Sequence, residues 1–247
     1  MAALDLGVPG GERPTFVLFL NGQRRVASLG GAPLVNLDVL ARPAVSWSLL
    51  AVLITTGTYY ALLFTLAEYL QQGLGDSALI SGVTLVPWVA AFGVAGQLVQ
   101  RLPARHAAWV PAISCLLLVT AYAAISATLF AGQHDGAPLI AALAVGGLGL
   151  GVNFSAILAH LSGAVPPGYA PDLSGISSTT AAIGGAVGVA AFATLYFSLS
   201  HLGPAQATRA FAIVTAAFAA AAAVAMVAAR RATTAPAVAR VEPVMAE

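Results

Sequence analysis

Six long apolar stretches predict an all-α, polytopic membrane protein. Three observations carry that reading: 59% of the 247 residues are hydrophobic, only 8% are charged, and the turn formers gather between the apolar stretches. A soluble domain is roughly a quarter charged, so composition alone places this chain in a bilayer. The formal net charge of +1 argues against nucleic acid as a partner. The single cysteine, Cys115, lies within an apolar run, which excludes disulfides and thiolate metal sites. The start, MAALDLGVPGGERP, has no basic n-region and no long apolar core, so it does not read as a signal peptide. Every basic residue is Arg, and Ala and Gly abound, as codon bias in a GC-rich bacterial genome would produce.

Residues 1–43 read as a Gly/Pro/Arg-rich cytoplasmic segment or linker. Their one apolar patch, 15–20, is far too short to span. Six spans follow over residues 44–229, at 44–69, 79–100, 108–131, 139–163, 173–200 and 208–229, each close to or above the ~20 residues a bilayer core needs. The first carries a polar stripe: at 100° per residue, Ser48, Thr55, Thr58, Tyr59, Thr65, Tyr69 and Gln72 share one arc, with Glu68 at its edge. Hydroxyls gain nothing from lipid, so the stripe must face other helices or water. Trp47, Trp88 and Trp109 sit near span ends, as interfacial anchors would. Short connectors hold Gly73, Gly75, Asp76, Pro103, Gly132, Pro138, Pro166, Pro167, Gly203 and Pro204. Residues 230–247 read as a disordered cytoplasmic tail.

Six spans place Arg13, Arg24, Arg25, Arg42, Arg101, Arg105, Arg230, Arg231 and Arg240 on one side and Arg209 alone on the other. The positive-inside rule then puts both termini in the cytoplasm of a bacterial cell, with the chain in its inner membrane. Small residues set the expected packing. The fifth span shows Ser174, Ser178, Ala181, Gly185 and Gly188 on one face with Gly184 beside them, and the fourth repeats the idea with Gly147, Gly151 and Ser155. Such spacing lets backbones approach, either for plain packing or for transport movements. The Ala-rich run 216–223 suits a peripheral last helix.

Two segments carry a family resemblance. YLQQGLGDSALISGVTLVPW (69–88) resembles the junction after the first helix of the C-terminal half in the fourteen-helix drug:proton antiporter branch of the major facilitator superfamily. Tyr69, Leu70, Gln71, Gly75, Ser77, Gly82, Leu85 and Pro87 match it. The segment 146–190, with Pro166, Ser174, Gly175 and Gly184 to Gly188, is similar to that family's fourth-to-fifth helix region. The resemblance covers roughly 16–231 and implies half of a major facilitator fold, six helices of a two-half transporter. It also implies proton-coupled export of small amphipathic or cationic compounds by alternating access. The missing half would come from a separate N-terminal chain or a second copy. The rival expectation is a non-transporting remnant or a structural subunit of the membrane.

In that superfamily the first and fourth helices of each half line the cavity, which by position nominates Thr55, Thr58, Tyr59 and Asn153 for substrate. Asn153, whose amide cannot stay unpaired in hydrocarbon, either joins two helices or meets substrate. Glu68, the lone carboxylate inside a span, is a proton-coupling candidate, as is His160, though each also fits a solvated position near a span end. The loop with Gly96, Gln100, Arg101 and Arg105 stands where the superfamily has its cytoplasmic gate signature. Gln100 replaces the signature's aspartate and Pro103 a glycine, so the loop is either a gate without its acid or a positive-inside loop. No enzyme signature, cofactor motif or metal-ligand spacing is present.

Overall fold

The computed structural model describes residues 42–101, 103, 109–132, 136–163, 170–200 and 204–234. Six helices account for nearly all of them: α1 Pro43–Glu68, α2 Ala78–Gln100, α3 Val110–Phe130, α4 Ala137–Gly163, α5 Ala170–Ser200 and α6 Pro204–Thr234. All six are long and apolar enough to cross a membrane. The helix ends follow backbone chemistry. Ser77 caps α2 by accepting from Ile80 N at 3.3 Å. Glycines at positive φ, Gly75, Gly132 and Gly136, turn the chain beside helix ends. The last two helices start earlier than the sequence predicts because their prolines open helices and do not merely connect them. Proline needs no N–H partner in a first turn, so Pro171 and Pro204 extend α5 and α6 backwards.

One feature has no counterpart in the sequence reading. α1 passes into a π-helical turn, Tyr69–Gly73, whose widened loop closes with Leu74 N donating to Tyr69 O at 3.0 Å. Such turns widen a helix locally and occur often at functional positions.

The helices neighbour one another in the order α2, α4, α3, α6, α1, α5, with α6 also resting on α5. Apart from the α5–α6 contact, which has no equivalent between α2 and α3, this order repeats when the first three helices are exchanged for the last three. α1 against α5 becomes α4 against α2, and α3 against α4 becomes α6 against α1. The α3–α6 pair maps onto itself. The bundle is thus built of two three-helix units whose helices pair alike.

Both outer pairs are joined through glycine. A Cβ on Gly57 would sit 2.9 Å from Gly184 O, and one on Gly188 would overlap the Gly57 backbone. Across the other pair, Gly147 abuts the Trp88 backbone and Gly151 lies against Phe92 and Ala95. With lipid on every side, close approach replaces the hydrophobic drive available in water.

Three expectations need correction. α6 is not peripheral: Phe211, Val214, Phe218, Ala222 and Ala225 are fully buried between α1 and α3. Its alanines let bulkier neighbours in, and the peripheral helix is α2, which exposes Leu79, Val83, Val86, Val89, Val94 and Leu98. The buried stripe of α5 runs through Leu173, Ser177, Gly184, Gly185 and Gly188, while Ser174 and Ser178 point outward. Trp88 is no interfacial anchor. It is wholly buried halfway along α2, because Gly146 and Gly147 leave it a slot.

Candidate functional site

The polar arc of α1 is largely internal. Ser48, Thr55, Thr58, Thr65 and Tyr69 are buried. Threonines survive in an apolar bundle by bonding back to their own helix: Thr55 Oγ1 donates to Ala51 O at 2.8 Å and Thr65 Oγ1 to Ala61 O at 2.7 Å. Two positions also reach across helices. Tyr122 OH on α3 donates to Thr58 Oγ1 at 3.2 Å, and Tyr69 OH pairs with Thr208 Oγ1 on α6 at 3.3 Å. Of the alternatives the sequence left open, helices rather than water face these residues.

Tyr59 differs from its neighbours. It is only half-buried, and its ring lies nearly parallel to two rings of α2, Phe92 at 6.1 Å and 8° and Trp88 at 6.4 Å and 13°. Tyr60, exposed, tilts against it at 4.9 Å. On the far side Trp88 stacks on Tyr122 at 5.9 Å and 22°, Tyr122 meets Phe218 at 5.3 Å, and Phe218 meets Phe192 at 4.6 Å. An aromatic column thus crosses the bundle through α2, α1, α3, α6 and α5, with Tyr59 and Phe92 at its open end. The sequence reading missed Phe92, Trp88 and Tyr122. The available signal was the glycine run of α4, which marks where a large ring must lie.

Asn153 is fully buried and belongs to a different contact. Its Nδ2 donates to Ser114 Oγ at 3.1 Å, to Pro111 O at 3.3 Å and to Cys115 Sγ at 2.9 Å, all on α3. It therefore joins α4 to α3 and does not face the arc of α1. Its Oδ1 finds no partner among the described residues, and neither does Trp88 Nε1.

Glu68 closes α1 half-buried and accepts from Gln72 Nε2 within the π-helical turn. The turn is held on α6: Tyr69 stacks on Phe211 at 4.8 Å, and a Cβ on Gly73 would lie 2.9 Å from Ala207 Cβ. His160 is at the opposite end of the bundle, its Nε2 3.3 Å from Ala232 O. The two proton-coupling candidates are thus at opposite ends and cannot share one proton site.

The end bearing Arg101, Arg230 and Arg231 is drawn together by the last turn of α6. Arg231 lies 4.8 Å over the Trp47 ring of α1, and Arg230 lies 5.8 Å over Trp109, just before α3. With His160 of α4 bonded to the same turn, three helices converge on residues 230–232. Of the residues the sequence placed in a gate loop, Gly96 and Gln100 instead belong to the last turns of α2; a Cβ on Gly96 would lie 3.6 Å from Ser155 Oγ, and Gln100 and Arg101 are exposed. Arg105 lies outside the described residues.

Comparison with known proteins agrees with this architecture. The family model described as Major Facilitator Superfamily matches residues 9–189. The chain is similar to the "Probable actinorhodin transporter" of Streptomyces coelicolor, 29% identical over 185 residues that cover 73% of the chain and 32% of that relative. It is similar to the drug efflux pump JefA of Mycobacterium tuberculosis, 28% identical over 180 residues, 72% of the chain and 34% of the pump. The multidrug efflux pump LfrA of Mycolicibacterium smegmatis is 26% identical over 195 residues, 79% of the chain and 37% of the pump. The chain spans about a third of the length of these curated relatives.

Proposed function

Because the chain belongs to the major facilitator superfamily, we propose that it forms one six-helix half of a proton-coupled efflux transporter, which works by rocking against a second half. The observation that supports this reading is the repeated pairing of two three-helix units whose outer pairs are joined through glycine, as expected of a transporter half built from nested repeats. Relatives named as drug and multidrug efflux pumps, each about three times the matched length, support export of drugs, and the family resemblance supplies the class of small amphipathic or cationic compounds.

In this proposal α1 and α4 face the cavity. Among the four nominated residues Tyr59 keeps accessible surface and is the substrate contact, while Thr55, Thr58 and Asn153 hold the wall behind it. Glu68, half-buried beside the π-helical turn, takes the proton at one end. His160, Gly96, Gln100, Arg101 and Arg105 belong to the cytoplasmic gate, with both termini in the cytoplasm and the chain in the bacterial inner membrane. A carboxylate at a membrane rim can exchange protons with water and then lose them to the interior as the halves rock.

Efflux of a fluorescent cationic dye from cells carrying this chain and a complementary N-terminal half tests the proposal. Export should stop when an uncoupler collapses the proton gradient, and Glu68→Gln should reduce it by about tenfold or more, as expected when a proton carrier is removed. Export unaffected by both would refute proton coupling at Glu68. No export from any pairing would favour the structural-subunit reading.

A further inference from the structure

The last turn of α6 lays both of its arginines on ring faces, Arg231 at 4.8 Å over Trp47 and Arg230 at 5.8 Å over Trp109. A guanidinium stacked in this way uses its flat face, while its N–H donors stay in the plane and point past the ring. Both arginines are exposed, and among the described residues neither side chain donates to a carboxylate or to any other acceptor. Tryptophan marks depth, because its ring prefers the boundary between hydrocarbon and headgroups. Trp47 lies in the first turns of α1, and Trp109, 60% exposed, directly precedes α3, so both pairs sit at headgroup level. Below them α3 exposes Ile113 and Leu116, and α6, packed against α3, exposes Val224 and Val227. These spacings from Trp109 and Arg230 follow the helical repeat, giving an apolar strip about two turns deep under a charged cap. Charge is lopsided as well. Among the described residues of the bundle, Arg101, Arg230 and Arg231 stand against Asp172 at this end, and Arg209 against Glu68 and Asp76 at the other.

We propose that the Arg230–Trp109 pair, with Arg231 beside it, binds an anionic phospholipid of the surrounding bilayer. Arg230 donates its in-plane N–H groups to the phosphate, whose geometry suits the guanidinium fork, and Arg231 adds a second positive charge one residue on. An acyl chain lies along the strip of Ile113, Leu116, Val224 and Val227. A zwitterionic lipid brings its own cation beside the phosphate and meets the same arginines less favourably, so the site selects by net headgroup charge. The bound lipid spans α3 and α6, the central pair of the bundle, and its binding does not depend on whether the chain exports.

Fluorescence quenching by brominated lipid tests this on the full chain in nanodiscs of phosphatidylcholine. Phosphatidylglycerol with dibrominated chains is titrated into one series, and phosphatidylcholine with the same chains into another. Subtracting the Trp109→Phe chain isolates the signal of Trp109. The brominated phosphatidylglycerol should quench it at a mole fraction about fivefold lower, the preference one arginine gives toward anionic lipid. Arg230→Gln should abolish that preference, and Arg231→Gln, which serves if the first variant folds poorly, should weaken it. Arg209→Gln, at the opposite end, should leave it intact. Excess soluble glycerol 1-phosphate should not restore the fluorescence, because it lacks the chain that fills the strip. Equal quenching by the two lipids would overturn the site, as would a preference that survives in folded Arg230→Gln and Arg231→Gln chains. A preference lost equally in Arg209→Gln would show attraction to overall charge and no site. Displacement by glycerol 1-phosphate would identify a site for a free phosphate monoester and overturn the lipid assignment.

Discussion

A leucine at Gly188 would have nowhere to go, because even a Cβ there overlaps the backbone of Gly57. The sequence put Gly185 on the same face as Gly188, but Gly185 meets the ring of exposed Tyr60, which can swing away. Gly188→Leu should therefore lower the detergent-solubilised melting temperature more than Gly185→Leu. The overpacking cost is about 1–3 kcal/mol even where neighbours can shift, and backbone cannot. Equal melting temperatures would show that α1 and α5 are not joined there. The same logic separates two alanines of α6. Ala222→Leu intrudes on the core, whereas Ala220→Leu points outward and should be neutral. Four-residue spacing announced close packing, yet not which glycine meets backbone, because that depends on how the partner helix crosses.

Helices as elements were readable because bilayer thickness imposes a length and an apolarity that any window of sequence reveals. Their neighbours were not readable. A hydrophobic face identifies the core in water, but in lipid both faces of a helix are apolar, so the Ala-rich α6 looked peripheral while it occupies the centre. The last turn of α6 illustrates what its position accomplishes, tying α1, α3 and α4 together through Arg231, Arg230 and Ala232. A double-mutant cycle of Arg231→Gln with Trp47→Leu, read by thermal unfolding, should give a coupling of about 0.5–1 kcal/mol, rising as the pair is desolvated. Strict additivity would mean the two ends merely lie near each other. The π-helical turn was invisible to periodicity, since its residues read as an ordinary helix end followed by Gly73. It forms because Tyr69 and Gly73 fit against Phe211 and Ala207, a constraint supplied by another helix.

At the scale of the whole molecule, the candidate site was half legible. Polarity in α1 pointed to Thr55, Thr58 and Tyr59, but polarity cannot tell a residue sealed between helices from one facing an opening. Tyr59 rests on Trp88 and Phe92 of α2 yet keeps part of its surface, whereas Thr58 is buried and bound to Tyr122. Reporter fusions after residues 75, 103, 135 and 235 give the orientation: 103 and 235 should report cytoplasm, and 75 and 135 the outside, as the arginine distribution requires. The central claim is that this bundle is one wall of a transporter, since a site needs groups converging from several sides. The most direct measurement is dye efflux from cells expressing the chain alone beside cells expressing it with a complementary N-terminal half. The account predicts no export from the first and proton-dependent export from the second, lowered by Tyr59→Leu. Proton-dependent export by the chain alone would contradict it and identify a self-sufficient pair of identical bundles.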